Sequence, residues 1–476
     1  MDAAVYQLAG FATTLLTSGE SATDTPRGGP RPCQDRPHHP RQHLLPRLGS
    51  SFREASQGLV PYARRHPDNR RAMPMTASVD TASAEDMRAR MVAELAQRRC
   101  IRSVPVQTAM AALPKEKFLP GVALEQVYDP NEVVATKVGE NGRTTSSASA
   151  PWLVARMLEF SRVRPGDTVL EIGTARGINA GYLGLITGAE GKVVSVEIDG
   201  DFIEDARAAL RSVGVTNVEV HHGDGEFGAA HRAPYDVVIV TAQAADLPTA
   251  WLDQLAPTGR IVVPLRLRGL VRAFVFEPEG DHWRSTSQIL CGFVSMQGAG
   301  AHPQQLVTFR PEVTLRVDGS RVDADALTAL LDCEPVQVWT GVTVANNEPC
   351  LPHMDFYLAT ALDDYGRYHA TKEAAEAGGI AWTLGIGHSA TWSSDGFAVT
   401  ALRRLDDETH EIGVWGHGPA GPRLAAEMAE HIRTWDASRR GGPEPVVRAY
   451  RGGTPDDKLA LGRVVDRTHT RFTITF

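Results

Sequence analysis

Residues 167–177, DTVLEIGTARG, decide the fold, because they have the pattern of a buried strand followed by a glycine-bearing turn and a helix. Val169, Leu170 and Ile172 supply the apolar run of a central parallel strand. From Asn179 onward, apolar side chains recur at helical spacing. A glycine turn of this kind lets a ligand approach the backbone at the carboxyl end of a sheet. The turn alone is weak support for a site, since many α/β turns carry two glycines.

Strand and helix patterns alternate after this turn, which predicts a doubly wound parallel sheet within a domain at residues 79–305. The predicted strands are 192–197, 217–222, 236–241 and 260–265, with antiparallel additions at 271–276 and 285–294, and the predicted helices are 178–188, 201–213 and 246–256. The composition changes after about residue 300, so residues 306–476 are predicted to form an accessory α+β domain. Its expected elements are strands at 313–318, 335–345, 397–405, 410–415 and 470–476 and a helix at 422–435.

Composition places the chain among ordinary globular proteins, with 476 residues of which 42% are hydrophobic and 22% charged. A formal net charge of -8 gives a nucleic-acid partner no whole-chain electrostatic support. No apolar run approaches the roughly 18 residues of a membrane span, so no membrane contact is expected. The five cysteines are scattered and odd in number, which predicts reduced thiols in a cytoplasmic protein. Cys350 and His353 have ligand-like spacing without a second pair nearby, so no metal site is predicted.

Residues 1–78 are rich in Pro, Gly, Ser and Arg and are predicted to be disordered, because they cannot bury enough apolar surface to offset their chain entropy. Met73 or Met75 would begin the folded protein cleanly, which favours a start assigned upstream of the native one over a transit peptide. Ser83 and Asp86 then fit a capping box at the start of the first ordered helix.

A hydroxyl-rich stretch at residues 144–160, TTSSASAPWLVARMLEF, is the second informative segment. Pro151 is placed at a helix start, where its missing amide proton costs nothing. The local pattern favours Ser149 as an N-cap that satisfies free backbone amides and has no chemical role.

Two acidic residues follow the next strands of the sheet. Glu197 ends the second strand, where a carboxylate can accept both hydroxyls of a ribose. Asp224, between Gly223 and Gly225, can accept from an exocyclic amine, although a lone Gly-Asp-Gly is otherwise an ordinary turn. Together with the turn at Gly173, these residues predict an adenosine-binding crevice at the strand ends.

NAD and S-adenosylmethionine are the two cofactors that such a crevice suggests. A dinucleotide fold favours Gly-x-Gly-x-x-Gly after the strand, whereas here Glu171 stands immediately before the first glycine. A carboxylate is poorly placed near a pyrophosphate, but it suits the amino group or polar surroundings of a methionine moiety. The sequence therefore predicts S-adenosylmethionine, bound by Glu171, Gly173, Thr174, Gly177, Glu197, Asp224 and Gly225.

Residues 85 to about 300 resemble protein-L-isoaspartate O-methyltransferases. The matching segments follow the family's order and are MVAELAQRRCI (91–101), ALPKEKFLP (112–120), SSASAPWLVARMLE (146–159), PGDTVLEIGTARG (165–177), VVSVEID (193–199), GDGEFG (223–228), APYDVVIVTA (233–242) and LAPTGRIVVPL (255–265). The resemblance implies a seven-stranded, Rossmann-like methyltransferase sheet with a small helical region over the substrate pocket. It also implies that Ser149 is the catalytic serine of the family's Thr-Ile-Ser motif, that Ser147 is its threonine, and that Glu197 and Asp224 contact ribose and adenine.

Four departures from the family pattern bear on the site. Ala175 stands where the family usually has a glycine, Ile178 where it has a tyrosine, and Trp152 where it has a histidine. The cofactor loop is still expected to close, while the substrate pocket, with Ser147 and Trp152 as substrate-binding residues, is expected to differ. The C-terminal extension is the fourth departure, and this layout resembles methyltransferases found beside bacterial lanthipeptide genes, which implies a lanthipeptide precursor as a possible partner.

The resemblance implies carboxyl O-methylation of an isoaspartyl or aspartyl residue in a protein or peptide, with succinimide formation to follow. The carboxylate is already ionised at neutral pH, since an unperturbed Asp titrates near roughly 4, so no general base is required. Protein repair and peptide tailoring use the same chemistry, and both stay open. Two other classes stay open as well: a peptide-binding module with a weakly active core, which Ala175 and Ile178 suggest, and a nicotinamide oxidoreductase.

Overall fold

The computed structural model describes residues 83–140, 142–319, 322–346, 348–376, 379–381 and 387–476, so the expectations for residues 1–78 lie outside the described residues. The predicted capping box at the first helix is confirmed, because Ser83 Oγ accepts from the Asp86 amide at 3.1 Å and the Asp86 carboxylate accepts from the Ser83 amide at 3.3 Å. The helices are α1 (Ala84–Gln97), α2 (Val104–Ala112), α3 (Leu124–Val127), α4 (Pro151–Ser161), α5 (Ile178–Thr187), α6 (Gly200–Ser212), α7 (Thr249–Gln254), α8 (Ala324–Leu331), α9 (Leu351–Ala361), α10 (Lys372–Glu376) and α11 (Gly421–Ser438).

The strands form two large sheets and one hairpin. They are β1 (Val134–Val138), β2 (Thr144–Ala148), β3 (Thr168–Ile172), β4 (Lys192–Glu197), β5 (Val218–His222), β6 (Tyr235–Val240), β7 (Leu255–Leu267), β8 (Leu270–Glu279), β9 (His282–Leu290), β10 (Gln305–Arg310), β11 (Val313–Val317), β12 (Val336–Ala345), β13 (Gly366–Ala370), β14 (His388–Ser393), β15 (Gly396–Arg404), β16 (Thr409–His417), β17 (Val446–Arg451), β18 (Arg463–Asp466) and β19 (Thr470–Thr475).

The larger sheet has, among the described residues, the strand order β18-β19-β17-β9-β8-β7-β6-β3-β4-β5. Strands β3 to β7 pair in parallel, and β8 and β9 continue the sheet antiparallel beyond β7. Val169 packs into one apolar cluster and its neighbours Leu170 and Ile172 pack into another, so both faces of β3 are buried. The predicted doubly wound, seven-stranded sheet is confirmed as the part from β5 to β9.

The last strands of the predicted accessory domain, residues 306–476, belong to the first sheet and not to a separate one. Residues 305–417 provide the strands of a second, antiparallel sheet in the order β10-β11-β13-β14-β15-β16-β12, but β17, β18 and β19 return to the larger sheet. Ala449 of β17 pairs with Trp283 of β9, which covers a strand edge that would otherwise present unpaired backbone groups. Side chains from both sheets share one apolar cluster, so the accessory region is joined to the first sheet through a common core.

A separate hairpin of β1 and β2 lies outside both sheets. It leads directly into α4 through the hydroxyl-rich segment that contains Ser147 and Ser149. Among the described residues, no helix combines the length and apolar character needed to cross a membrane.

Candidate active site

A cleft of about 140 Å³ lies at the carboxyl ends of β3 and β4. This is the edge at which open α/β sheets bind ligands. Six of the predicted site residues line it, namely Ser147, Ser149, Gly173, Thr174, Glu197 and Gly225. Other lining residues were not singled out from the sequence, among them Lys115, Asn179, Tyr182, Thr241, Phe293 and Met296.

The turn after β3 closes through left-handed backbone conformations. Gly173 has φ +99°, and a Cβ there would lie 2.5 Å from Thr241 Oγ1, so this position requires glycine. Ala175 has φ +45°, a conformation that costs a residue with a side chain about 1–2 kcal/mol. The expected closure of the loop is therefore observed, with alanine occupying a position that favours glycine. Gly177, at φ +88°, is the N-cap of α5 and does not line the cleft.

Glu197 lines the cleft with only 8% of its surface exposed. Its Oε2 accepts from the Ala175 amide at 2.6 Å, and its Oε1 accepts from the Asp199 amide at 3.0 Å. Each carboxylate oxygen keeps a further lone pair for a ligand hydroxyl. The amide of Ala175 is thus already bound to a carboxylate, and the negative charge beside it disfavours a pyrophosphate at this turn.

Glu171 lies fully buried beneath the turn and does not line the cleft. It accepts hydrogen bonds from Asn179 Nδ2 at 2.8 Å and from Ser195 Oγ, and the hydroxyls of Ser195 and Thr174 are 2.6 Å apart. Burial raises the pKa of the Glu171 carboxyl to about 7, although the two hydrogen bonds lower it. Of the two expected roles of Glu171, direct contact with a methionine amino group is not supported by this position, whereas a place in the polar surroundings stays a prediction: Glu171 holds Asn179, and Asn179 lines the cleft.

Ser149 does not cap α4, so the N-cap interpretation favoured by the local pattern is wrong. Because Pro151 takes the first helical position, Ala150 becomes the N-cap and has no side-chain cap bond. Ser149 is half-buried in the cleft wall, and no hydrogen bond of its side chain occurs within the described part of the chain. Ser147, on β2, also lines the cleft. Both hydroxyls are therefore placed where a bound molecule could reach them.

Trp152 lies in the apolar core beside the cleft, with 5% of its surface exposed. It does not line the cleft, and its amide donates to the Pro130 carbonyl at 3.0 Å. The predicted role of Trp152 in substrate binding is not supported for this reason: the side chain packs on the buried side of α4 and does not line the cleft.

Asp224 caps the short 3-10 turn Gly225–Phe227. Its Oδ1 accepts from the Glu226 amide at 3.0 Å and its Oδ2 from the Ala299 amide at 2.7 Å. Gly225 lines the cleft, whereas Asp224 does not. A contact between Asp224 and adenine stays a prediction, and it would use lone pairs that these two amides leave free.

Lys115 is the buried cation of the cleft wall, with 2% of its surface exposed. Its Nζ donates to the Val127 carbonyl at 3.0 Å. Burial lowers the pKa of the ammonium to about 8, and the carboxylates of Asp129 and Glu132 raise it. The sequence offered no signal for this position, because a lysine in PKEKFLP has the pattern of a surface residue.

An ion-pair cluster holds the hairpin against the side of the cleft that carries Glu197. Lys137 Nζ lies 2.5 Å from Asp199 Oδ2 and 2.7 Å from Asp201 Oδ2. Asp199 lines the cleft and caps α6. The segment of β2 that carries Ser147 is therefore tied to the strand end that carries Glu197.

The turn between β18 and β19 contacts the segment around Asp224. His469 Nε2 lies 2.9 Å from Glu226 Oε1, and the His469 amide donates to Asp246 Oδ2 at 2.6 Å. Burial raises the pKa of Glu226, and His469 counteracts that rise. Residues far along the chain thus support the loop next to Gly225.

Comparison with known proteins gives one family over the first sheet. The family model described as protein-L-isoaspartate(D-aspartate) O-methyltransferase matches residues 86–299. A protein-L-isoaspartate O-methyltransferase of Methanothermobacter thermautotrophicus is 40% identical over 215 residues, which cover 45% of this chain and 96% of that protein. One of Koribacter versatilis is 34% identical over 224 residues, covering 47% and 96%.

Solved structures with the same description are more distant. One protein-L-isoaspartate O-methyltransferase has a TM-score of 0.44 at 20% identity and covers 76% of this chain and 96% of its own. A Plasmodium falciparum protein described in the same way, in complex with S-adenosyl-L-homocysteine, has a TM-score of 0.38 at 16% identity and covers 44% and 97%.

Proposed function

The chain belongs to the protein-L-isoaspartate O-methyltransferase family, and we propose that it transfers a methyl group from S-adenosylmethionine to the free carboxylate of an isoaspartyl residue in a protein or peptide. Family membership makes it a methyltransferase of the protein-L-isoaspartate type. The single observation that carries the proposed residue roles is the cleft, which joins the turn at Gly173 and the carboxylate of Glu197 to the hydroxyls of Ser147 and Ser149.

The cleft residues fit S-adenosylmethionine better than a dinucleotide. Hydrogen bonds from two backbone amides orient the carboxylate of Glu197. Its oxygens still have lone pairs that can accept from ribose hydroxyls. Gly173 and Gly225 both line the cleft, and packing within the chain requires glycine at both positions, since a Cβ at Gly225 would lie 2.5 Å from Ile172 Cγ2 and one at Gly173 2.5 Å from Thr241 Oγ1. We therefore assign Gly173, Thr174, Glu197 and Gly225 to the cofactor, together with Asn179, which Glu171 orients. The nicotinamide alternative is disfavoured by the Glu197 carboxylate bound at Ala175.

In the proposed reaction, the chain mainly aligns the cofactor and the substrate, and it does not need to transfer a proton. S-adenosylmethionine supplies a methyl group on a positively charged sulfur. The substrate carboxylate is ionised at neutral pH and can attack without a general base. Ser149 is proposed to donate a hydrogen bond to that carboxylate and fix its angle, and Ser147 to contact the substrate beside it. Holding both reactants in line in a cleft that β2 lines supplies the catalytic advantage.

The methyl ester then makes the carboxyl carbon a better electrophile. The neighbouring backbone nitrogen attacks that carbon and the C–OCH3 bond breaks. The nitrogen's proton passes through solvent to the departing methoxide, so methanol leaves as a succinimide ring closes. Water opens the ring at either carbonyl to give aspartate or isoaspartate. The enzyme is needed only for the methyl transfer, which agrees with a cleft whose described residues offer hydroxyls and carboxylates for positioning.

The proposal is tested by methyl transfer from labelled S-adenosylmethionine to two matched peptides, one with isoaspartate and one with aspartate. Labelling of the isoaspartyl peptide alone is the expected result. Glu197→Gln should reduce the labelling, because it weakens the proposed ribose contact, while the control Glu219→Gln on the exposed edge strand β5 should not. Absence of labelling while cofactor binds to the wild-type chain would contradict the proposal and favour a binding module.

The same labelling experiment tests a second class of substrate. The observation that favours it is the region after residue 300, which the family model does not cover and whose turn between β18 and β19 contacts Glu226 through His469. A conformationally constrained aspartyl peptide, such as a lanthipeptide precursor, is the probe. Labelling of that peptide and not of the linear isoaspartyl peptide would replace repair by peptide tailoring.

A further inference from the structure

Lys115 is the most unusual charged residue of the cleft wall. It belongs to the 3-10 turn Lys115–Phe118, and its side chain is almost completely removed from water. Taking an ammonium out of water is costly unless it is paired. Its hydrogen-bond partner among the described residues is a neutral carbonyl, that of Val127.

The described surroundings of Lys115 use only part of the hydrogen-bonding capacity of its ammonium group. An ammonium has three donors, and the bond to Val127 uses one of them. The charged and titratable groups around it are Asp129 and Glu132, which act on it through space without an ion pair, and the phenol of Tyr182 in the same cleft wall. Two donors therefore remain for a bound molecule, on the wall that also carries Ser147 and Ser149.

We propose that Lys115 is a carboxylate-binding residue of this cleft. The inference rests on the proposed function, which brings two carboxylates into the cleft: that of the isoaspartyl substrate and that of the methionine moiety of the cofactor. The shared chemistry is a charge-assisted hydrogen bond from a desolvated ammonium to a carboxylate oxygen. Such a bond changes affinity by about 10- to 100-fold when the carboxylate is replaced by a neutral group.

The test measures binding by titration calorimetry with the full chain, so it does not depend on turnover. Two ligand pairs are compared: S-adenosylhomocysteine with its decarboxylated analogue, and, in the presence of S-adenosylhomocysteine, an isoaspartyl peptide with the same peptide carrying an amide in place of the free carboxylate. The variants are Lys115→Met, Lys115→Arg and, as a matched control, Lys117→Met, which alters an exposed lysine of the same turn.

Wild-type protein should prefer the acidic member of at least one pair by about 10- to 100-fold. Lys115→Met should abolish that preference while binding of the neutral member is kept, Lys115→Arg should restore it, and Lys117→Met should leave it unchanged. The pair that loses its preference identifies which carboxylate Lys115 binds. The preference should also decline in the wild-type chain as the pH rises through about 8, where the Lys115 ammonium loses its proton, and Lys115→Arg should lack this decline.

Two results would overturn the inference. One is retention of both preferences in Lys115→Met, and the other is an equal loss of affinity for acidic and neutral ligands, which a purely structural lysine would produce. Failure of the proposed function is a separate outcome, because it would show as absent methyl transfer in the wild-type chain whatever the binding preferences of the Lys115 variants.

Discussion

At the scale of single residues, Ser149 differs most from what its local sequence suggests. A serine before Pro-Trp-Leu has the pattern of a helix cap, but Ala150 occupies that position and leaves the Ser149 hydroxyl in the cleft wall. We expect Ser149→Ala to lower kcat by about 10- to 100-fold, the effect of losing a hydrogen bond to a charged group. Steady-state kinetics on the isoaspartyl peptide, with the affinity for S-adenosylhomocysteine measured in parallel, checks this.

The control for Ser149→Ala is the stability of the protein itself. Because Ser149 caps no helix, the free energy of unfolding should stay within about 0.5 kcal/mol of wild type. Two results would show that Ser149 has a structural role. One is a loss of cofactor affinity as large as the loss of kcat, and the other is a fall in the free energy of unfolding as large as that caused by removing a helix cap.

Glu171 predicts a pH dependence of stability. The ordinary pKa of this carboxyl is 4.5, and burial raises it to about 7 in the folded protein. The folded state therefore keeps a proton that the unfolded state has lost, so this contribution is fully present below about pH 4.5 and is lost as the pH rises to about 7. Glu171→Gln cannot ionise. Between pH 5 and 7.5, wild type should lose on the order of 1–3 kcal/mol of stability relative to this variant.

Urea unfolding at the two pH values measures that difference. Glu190→Gln, at an exposed position in the turn before β4, is the matched control and should follow the wild-type curve at both pH values. If the difference between wild type and Glu171→Gln is the same at pH 5 and at pH 7.5, the buried carboxyl does not titrate in this range.

Some cleft residues could be predicted from the sequence and others could not. The difference is whether their position depends on neighbouring residues of the sequence or on distant ones. Glu197 ends a strand next to a glycine turn, and that order alone predicts where its carboxylate lies. Trp152 and Glu171 were misplaced because a sequence shows that a side chain is near a site without showing which way it points. Lys115 was missed because its burial depends on α3 and on residues of the cleft far along the chain.

At the scale of elements, the apolar strands β3, β4 and β6 were predictable because continuous Val and Ile runs are typical of buried parallel strands. The hairpin was not predicted. Thr144–Ala148 is polar, and its strand state depends on pairing with Val134–Val138 and on the contact of Lys137 with two aspartates. The hairpin strand that lines the cleft thus has little strand signal of its own in the sequence.

The hairpin should open more readily when its ion pairs are removed. In Lys137→Met, amide hydrogen exchange in β1 and β2 should accelerate by roughly two- to fivefold at low salt, the range of an exposed ion-pair cluster. Added salt should accelerate exchange in wild type and change little in the variant, because salt screens the exposed pair. Lys192→Met, on exposed β4 surface, is the control. Equal salt sensitivity in wild type and Lys137→Met would show that the pairs with Asp199 and Asp201 do not hold the hairpin.

At the scale of the whole molecule, the two sheets depend on each other in a way that composition could not reveal. The alternation in RFTITF predicts β19 correctly, but a period of two does not say which sheet a strand joins. Strand β17 pairs with β19 on one side and, on the other, with β9, more than a hundred residues earlier, where Ala449 pairs with Trp283. Pairing between strands so far apart in the chain depends on how the faces of the whole sheets pack together. The sequence of the strand alone therefore could not show that the C-terminal strands join the first sheet.

This shared core predicts that the chain unfolds as one unit across its described part. Phe472 of β19 is fully buried, with its ring centroid 6.5 Å from that of Phe276 on β8. Phe472→Ala should lower the free energy of unfolding by about 3–5 kcal/mol, the cost of truncating a large core aromatic. Because β8 continues the sheet that carries Gly173 and Glu197, the loss should appear equally in hydrogen exchange of β3 and of β17 and in the temperature at which cofactor binding is lost.

Leu461→Ala, at a side chain 91% exposed, is the control and should change none of these. Destabilisation confined to β17 and β19, with β3 protected as in wild type, would mean that the first sheet is stable without its C-terminal strands.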